Sequence, residues 1–279
     1  MNKMKGKCLG ILVSVGLVAL LLLVPTNVAL AYANPLAPTL GTAANFAVLA
    51  ASAVTNTGPT IINGDLGISP NGLSSITGFP PGIVNGTIHA ADAPAAQART
   101  DALAAYNDLK GRTFNLDLSS VGLTGQVLLP GIYSFSSSAE LTVGGTLILD
   151  ANSDSNAVWI FQIGTSLLAA DGSHVLVING GSKGNVFWQV GTSATINTGA
   201  EFVGTIIADQ SITLKTGAIL YGRALALIAA VTMDTNRVAI SLSPFSTPSL
   251  SQWGLILLVG LLVSVGFLTL RKQGLLPLG

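Results

Sequence analysis

Through the second half of the chain, polar and apolar residues alternate over short stretches. Thr195-Ile196-Asn197, Thr213-Leu214-Lys215 and Thr232-Met233-Asp234 each run polar, apolar, polar. A period of two places alternate side chains on opposite faces of a strand, so each stretch reads as a short strand with one buried and one wet side. The stretches also recur. Thr198-Gly199-Ala200 returns as Thr216-Gly217-Ala218 after 18 residues, and Gly204 and Gly222 are 18 apart as well. Thr232 follows Thr213 by 19 residues. Upstream, Phe161-Gln162-Ile163-Gly164-Thr165-Ser166 recurs as Trp188-Gln189-Val190-Gly191-Thr192-Ser193 at a spacing of 27. The extra residues contain Asn179-Gly180-Gly181-Ser182-Lys183-Gly184, a turn cluster. A fixed short period is the signature of stacked repeats. Three short strands use 18 residues per coil, with apolar residues inward and coils stacked about 4.8 Å apart. The pattern predicts a mostly β solenoid of the β-helix type. A β-sandwich or barrel is the alternative, but it has no need of Thr-Gly at fixed spacing.

One segment departs from this pattern. Ala90 to Lys110 is rich in alanine, six of them between 95 and 105, and spaces Leu103, Tyr106 and Leu109 by three. Asp92 suits an N-cap, Pro94 the first turn, and Lys110-Gly111 a stop. The spacing predicts a helix over about 92–110 whose small side chains let it lie against a flat sheet and cover one side of the coil. Before it, Val54-Thr55-Asn56-Thr57-Gly58-Pro59-Thr60-Ile61-Ile62 reads as a further rung. The helix separates that rung from the main stack, which predicts a coil assembled from non-adjacent pieces of chain.

The two ends differ from the body. Lys3, Lys5 and Lys7, an apolar run from Leu9 to Pro25, and Ala31-Tyr32-Ala33 have the form of a secretory signal over 1–33, cut to begin the mature chain at Asn34. A retained anchor is the alternative. Cys8 precedes the apolar run, so it is not a lipobox cysteine. At the other end, 243–252 is a Ser/Pro-rich linker, and 253–279 carries an uncharged apolar run from Trp253 to Leu270 followed by Arg271 and Lys272. That run approaches the roughly 20 residues that span a bilayer, and the cationic stop favours a cytoplasmic end. Membrane contact is therefore expected only through this tail, if it stays uncut. The body, 34–242, would be one domain outside the cell.

Composition narrows the function. Only 9% of residues are charged, against roughly 25% in ordinary domains, while 49% are hydrophobic, which excludes bulk disorder. Without the ends, 34–250 keeps 7 of the 12 basic residues and all 12 acidic ones, a formal charge of −5. No cationic footprint for nucleic acid is present. Cys8 is the one cysteine, so the body is held by packing and hydrogen bonds alone. Enzymatic motifs are lacking too. His89 and His174 are the two histidines and stand in no metal-ligand spacing. No P-loop occurs. Asp65 in Asn63-Gly64-Asp65-Leu66-Gly67 could be an active carboxylate, as in β-helical polysaccharide enzymes, or a turn cap. Arg223 reads as a structural partner for an aspartate or a carbonyl. The expectation is a protein that is not an enzyme and uses no cofactor or metal.

Several stretches together carry a resemblance: Gly41-Thr42-Ala43-Ala44-Asn45-Phe46-Ala47-Val48-Leu49-Ala50, Gly64-Asp65-Leu66-Gly67, Thr77-Gly78-Phe79-Pro80-Pro81-Gly82, Leu129-Pro130-Gly131-Ile132-Tyr133, Asn185-Val186-Phe187-Trp188-Gln189-Val190-Gly191 and Gly222-Arg223-Ala224-Leu225-Ala226. Spanning about 41–240, they resemble the bacterial and fungal ice-binding family. The resemblance implies a right-handed discontinuous β-helix with one long helix packed alongside, and a secreted monomer that binds ice crystal surfaces and inhibits their growth and recrystallisation. The tail, from Pro248-Ser249-Leu250-Ser251-Gln252-Trp253-Gly254, resembles a bacterial C-terminal sorting signal, with a small departure from Ile-Pro-Thr-Leu-Ser-Glu-Trp-Gly. A cell-surface adhesin or carbohydrate-binding module on the same coil is the alternative function, and it would require an aromatic platform.

Ice presents a repeating array of water hydroxyls, so its receptor must be flat, rigid and weakly hydrated. Threonine suits this: its β-branch stiffens χ1, its methyl releases ordered water, and its hydroxyl joins a water network. The family's Thr-(Ala/Gly)-x-(Thr/Asn) step is matched by Thr42-Ala43-Ala44-Asn45 and Thr57-Gly58-Pro59-Thr60, and over three positions at Thr198 and Thr216. The candidate ice-contact residues are Thr57, Thr60, Thr195, Thr198, Thr213, Thr216, Thr232 and Thr235. Six of them form two expected columns, Thr195-Thr213-Thr232 and Thr198-Thr216-Thr235. Lys215 and Asp234 between them disfavour a dry contact. The rival face is the sheet of 204–209 and 222–227.

Overall fold

The computed structural model describes residues 34–240, and glycine sets the corners of its coils. Strand Glu201–Ala208 lies parallel to strand Ile219–Ala226 with Gly204 over Gly222. Before the glycine, Glu201 pairs with His174; after it, Thr205 pairs with Phe187. One strand thus crosses from one face of the coil to the next without a loop. A side chain has no room at this bend. A Cβ on Gly222 would sit 1.9 Å from the Gly204 carbonyl oxygen, and one on Gly204 would sit 2.5 Å from the Val186 carbonyl oxygen.

Three faces follow, all of parallel strands. The first runs Leu116–Asp117, Gly131–Phe135, Trp159–Ile163, Val186–Val190, 205–208, 223–226, Phe46–Ala50, Asp65–Ile68 and Ile88–Ala90. The second runs Ala139–Leu141, Leu167–Ala169, Ala194–Ile196, Ile212–Leu214, Val231–Asp234, Val54–Thr57 and Ile76–Thr77. The third includes Thr146–Asp150, His174–Ile178, 201–203, 219–221, Arg237–Ala239, Ile61–Asn63 and Ile83–Asn85. This is a solenoid; the sandwich and barrel alternatives fail because successive strands stack in parallel coils.

The stack does not follow chain order, as the interrupted repeat predicts. Val48 pairs with Ala224, Thr55 with Thr232 and Ile62 with Val238. Residues 46–90 therefore continue the coil beyond its last rung at 231–239. The chain then returns through the helix, Ala93–Gly111, and re-enters beneath Gly131–Phe135 with Leu116–Asp117.

Local chemistry fixes that helix. The Asp92 carboxylate accepts the Ala95 amide at 3.0 Å, an N-cap, with Pro94 in the first turn. Ala98, Ala102, Ala105, Tyr106 and Leu109 are buried against Phe46, Leu49, Ile160, Phe187, Ile207 and Leu225 of the first face. Alanine at 98, 102 and 105 lets the helix backbone approach the sheet. Leu103 is 48% exposed, because the buried stripe follows 95, 98, 102, 105 and 109 and position 103 lies off it. Gln162 Nε2 closes the C-terminus by donating to the Leu109 and Arg112 carbonyls, both at 2.7 Å.

Inside the coil, Tyr133, Phe161, Trp188 and Phe202 form a continuous aromatic stack, with ring centroids 5.5, 4.0 and 4.8 Å apart in turn. At the margin of the helix, the 3-10 turn Gly41–Asn45 is clamped from two sides. The Thr42 amide and hydroxyl both donate to Asp101 Oδ2 at 2.7 Å. Arg223 donates twice to the Ala44 carbonyl, at 3.0 and 2.7 Å, and to Thr205 Oγ1 at 3.2 Å. Arg223 is thus the carbonyl partner that the sequence suggested. Asp65 opens a strand and accepts the Thr87 amide of the neighbouring rung at 2.8 Å, a structural role.

Three stability outcomes are expected. Gly222→Ala should lower the urea-unfolding free energy by about 2 kcal/mol or more, because the backbone cannot yield. Gly199→Ala, with φ 64° but no atom within 4 Å of the added Cβ, should cost only about 1–2 kcal/mol. The Thr42 hydrogen bonds hold Asp101 below the usual aspartate range. A lowered folded pKa stabilises above the unfolded value and is lost as pH falls through the folded one. Asp101→Asn should remove that step from the acid limb of a melting-temperature profile.

Candidate functional site

The second face is built from strands whose inward residues are short and apolar. Ala194, Ile196, Ile212, Leu214, Val231, Met233 and Val54 are all buried. They seat the alternate, outward side chains at one height along the sheet. The register then aligns Glu140, Leu168, Thr195, Thr213, Thr232, Thr55 and Thr77 in one column. Threonine occupies five consecutive rungs of it, at the roughly 4.8 Å spacing of stacked strands. Neighbouring hydroxyls connect: Thr55 Oγ1 donates to Thr232 Oγ1 at 3.3 Å.

Small residues flank this column on one side. The amides of Leu167, Ala194, Ile212 and Val231 donate to the carbonyls of Ser193, Ser211, Ala230 and Ala53, which stand in line. The Ser193 and Ser211 hydroxyls are 3.0 Å apart. On the other side the amides of Gly172, Gly199, Gly217 and Thr235 donate to the carbonyls of Thr198, Thr216, Asp234 and Thr57. That hydrogen-bond ladder defines a second column, Thr198, Thr216, Asp234 and Thr57.

The expected residues divide accordingly. Thr195, Thr213 and Thr232 share a column, as the period implied. Thr198 and Thr216 share the second, and Thr57 joins it. Thr235 does not. Leu214 pairs with Met233 and Ile219 with Arg237, so the last turn is one residue shorter than the one before it. Thr235 has φ 54°, close to Gly199 at 64° and Gly217 at 71°, and so takes the glycine's place while Asp234 takes the threonine's. Thr60 is corrected outright: it is 0% exposed, and its hydroxyl accepts the Asn236 amide at 2.9 Å, so it cannot touch an external surface. The Thr42-Ala43-Ala44-Asn45 step also lies elsewhere, tied to the helix by Asp101.

Thr55 and Thr77 were missed by the sequence reading. Val54-Thr55 has the same inward–outward alternation as Ile212-Thr213, and that signal was available. The Thr-Gly-x-Thr step drew attention to Thr57 and Thr60 instead, and the pairing of Thr55 with Thr232 joins rungs 177 residues apart.

The rival face is closed. Ile207 and Leu225 are wholly buried in the cluster under the helix. The third face is open but uneven. Glu201, Ile219 and Arg237 follow one another in one column, Lys183 sits over the Tyr221 ring at 4.1 Å, and Leu176, Ile61 and Ile83 protrude. An aromatic platform does not form from Trp159, Trp188, Tyr133, Phe161 or Phe202, which are all inside the coil. His89 is spent beside the helix cap, its Nδ1 2.7 Å from Asp92 Oδ2. Among the described residues no group of three or more His, Cys, Asp or Glu side chains is placed to hold a metal. The second face thus presents a repeating array of methyls and hydroxyls that can hold an extended repeating surface rather than enclose a small molecule.

The ice-binding-like family model matches residues 48–239, and the IPTL-CTERM motif matches 246–272. The chain is 54% identical over 201 residues to an ice-binding protein of Nostoc sp. (strain HG1), covering 72% of this chain and 73% of that one. It is similar to the crystal structure of an ice binding protein from an Antarctic biological consortium, with a TM-score of 0.72, 45% identity, and coverage of 75% and 93%. It is also similar to that of an ice-binding protein from the Antarctic ascomycete Antarctomyces psychrotrophicus, with a TM-score of 0.70, 38% identity, and coverage of 74% and 100%.

The burial of Thr60 yields its own test. Thr60→Val keeps the shape but leaves the Asn236 amide without its acceptor. It should cost about 1–3 kcal/mol in chemical unfolding, while the columns of the second face keep their register.

Proposed function

This chain belongs to the ice-binding-like family, and from that premise we propose that its threonine face is the surface that meets ice. The protein is a non-enzymatic ice binder that restrains crystal growth and recrystallisation. The observation that carries the assignment of the face is the five-rung column Thr195, Thr213, Thr232, Thr55 and Thr77 on a sheet that the helix leaves uncovered. The second column, Thr198, Thr216 and Thr57 with Asp234 between, widens the contact.

The physical argument has three parts. The methyls shed ordered water when they meet the crystal. The hydroxyls exchange bonds with bulk water for bonds with lattice water at nearly equal enthalpy. The side chains are already fixed by β-branching and by the buried rung beneath, so little freedom is lost on contact. A repeating receptor also multiplies weak contacts, since each rung adds a near-identical one.

Residues 1–33 are read as an export signal, 34–242 as the ice-binding domain, 243–252 as a linker and 253–279 as the sorting tail. The tail motif supports delivery to the cell surface or beyond. Retained, it tethers the domain to the membrane; cut, it frees a monomer.

Thr213 stands at the middle of the face. Thr213→Tyr should abolish most thermal hysteresis while leaving the melting temperature nearly unchanged. Leu176→Tyr, on the third face, should leave hysteresis intact. Full activity in a folded Thr213→Tyr protein, or loss in Leu176→Tyr alone, would overturn the assignment.

A further inference from the structure

Asp234 interrupts the second column with a charge, at a surface where a strongly hydrated group opposes dry contact. Its surroundings give it a different role. The Thr216 hydroxyl donates to Asp234 Oδ2 from the rung below. The Thr235 hydroxyl donates to Oδ1 at 3.0 Å. The Asp234 amide donates to Asn236 Oδ1 at 2.6 Å, and the Asn236 side chain donates in turn to the Lys215 and Ala218 carbonyls at 2.7 and 3.1 Å. Asn236 thus fixes the Asp234 backbone, and the half-buried carboxylate takes one hydroxyl on each oxygen.

An ionised carboxylate only accepts hydrogen bonds, whereas a hydroxyl has one hydrogen and two lone pairs. Both hydroxyl hydrogens are consequently turned toward Asp234. What Thr216 and Thr235 have left for solvent is lone pairs. Thr216 belongs to the column that faces outward beside Thr213, so its polarity bears on whatever docks there.

We propose that Asp234 is a positioning residue of the ice-contact face, which fixes the Thr216 hydroxyl as an acceptor toward the crystal. Lattice water docking at this rung must then donate. The inference rests on the threonine face being the ice-contact face. It reverses the expected sign of the charge: Asp234 promotes binding by orienting a neighbour, instead of opposing it by its own hydration.

The test is a double-mutant cycle on the full mature protein, read by partition into an ice slurry and by melting temperature. Asp234→Ala should lose about threefold or more in apparent ice affinity, the scale of one net hydrogen bond. Asp234→Asn, which keeps one acceptor oxygen for Thr216, should recover most of it. Thr216→Val should lose a similar amount, and adding Asp234→Ala to it should lose little more, because the two act as one unit. Unchanged or increased partition in Asp234→Ala, or losses that simply add, would overturn the proposal. If Asp234→Ala does not fold, Thr216→Val decides: unchanged partition in that variant would overturn the proposal. Thr213→Tyr runs in parallel. If that variant also keeps full affinity, the face itself is wrongly assigned; if it loses affinity while Asp234 variants do not, only the role of Asp234 falls.

Discussion

Vertical register is the constraint on which the rest of this molecule depends. Every coil must lie directly on its neighbour for the parallel backbone ladders to close, and a one-residue slip would turn inward side chains outward. The molecule keeps register while its coils differ in length. The Trp159–Ile163 and Val186–Val190 strands pair residue for residue although 27 residues separate each pair, because the excess loops out before Val186. The turn at 234–236 is one residue shorter than its neighbour, yet Arg237 still meets Ile219. With no cysteine in the body, this order comes from backbone hydrogen bonds, glycine corners and the stacked rings of Tyr133, Phe161, Trp188 and Phe202.

Register turns an ordinary residue into part of an array. A threonine on an exposed strand is a solvated surface residue. Five of them at the same strand position, over an aliphatic interior, form a periodic surface. The helix contributes by exclusion. It occupies the first face with Ala98, Ala102 and Ala105 against Ile160, Phe187 and Ile207, leaving only two faces open. Of these, the third carries Glu201, Arg237 and protruding aliphatic side chains, whereas the second carries five successive threonines in one column.

Much of this was legible in the sequence, and the limits have physical causes. The alternation at Thr195, Thr213 and Thr232, the 18-residue step and the Asp92 cap are local signals, and local signals appear directly in residue order. The covering helix and the discontinuous coil also followed, since a break in a periodic pattern must be bridged somewhere. Residues whose place is set by distant pairing were harder. Thr55 and Thr77 complete the column only because the first rung lands on the last. Thr60 matches a surface motif but turns inward to serve Asn236. Thr235 looks like the third member of a column, and a single deleted residue moves it into the left-handed position of a glycine. Short motifs report composition, whereas facing is decided by the length of each turn. The signal and tail segments lie outside the described residues, so their assignment rests on sequence pattern and, for 246–272, on the matched motif.

The most direct measurement is fluorescence-based ice-plane affinity on a single ice crystal grown from a solution of the labelled mature protein. A flat column array of fixed spacing should concentrate label on a defined set of crystal planes and exclude it from others, and crystals should stop or change shape as they grow. A crystal that grows unstained and unshaped, as it does in buffer, would contradict the account: the threonine columns would then be no more than the wet side of a β-sheet.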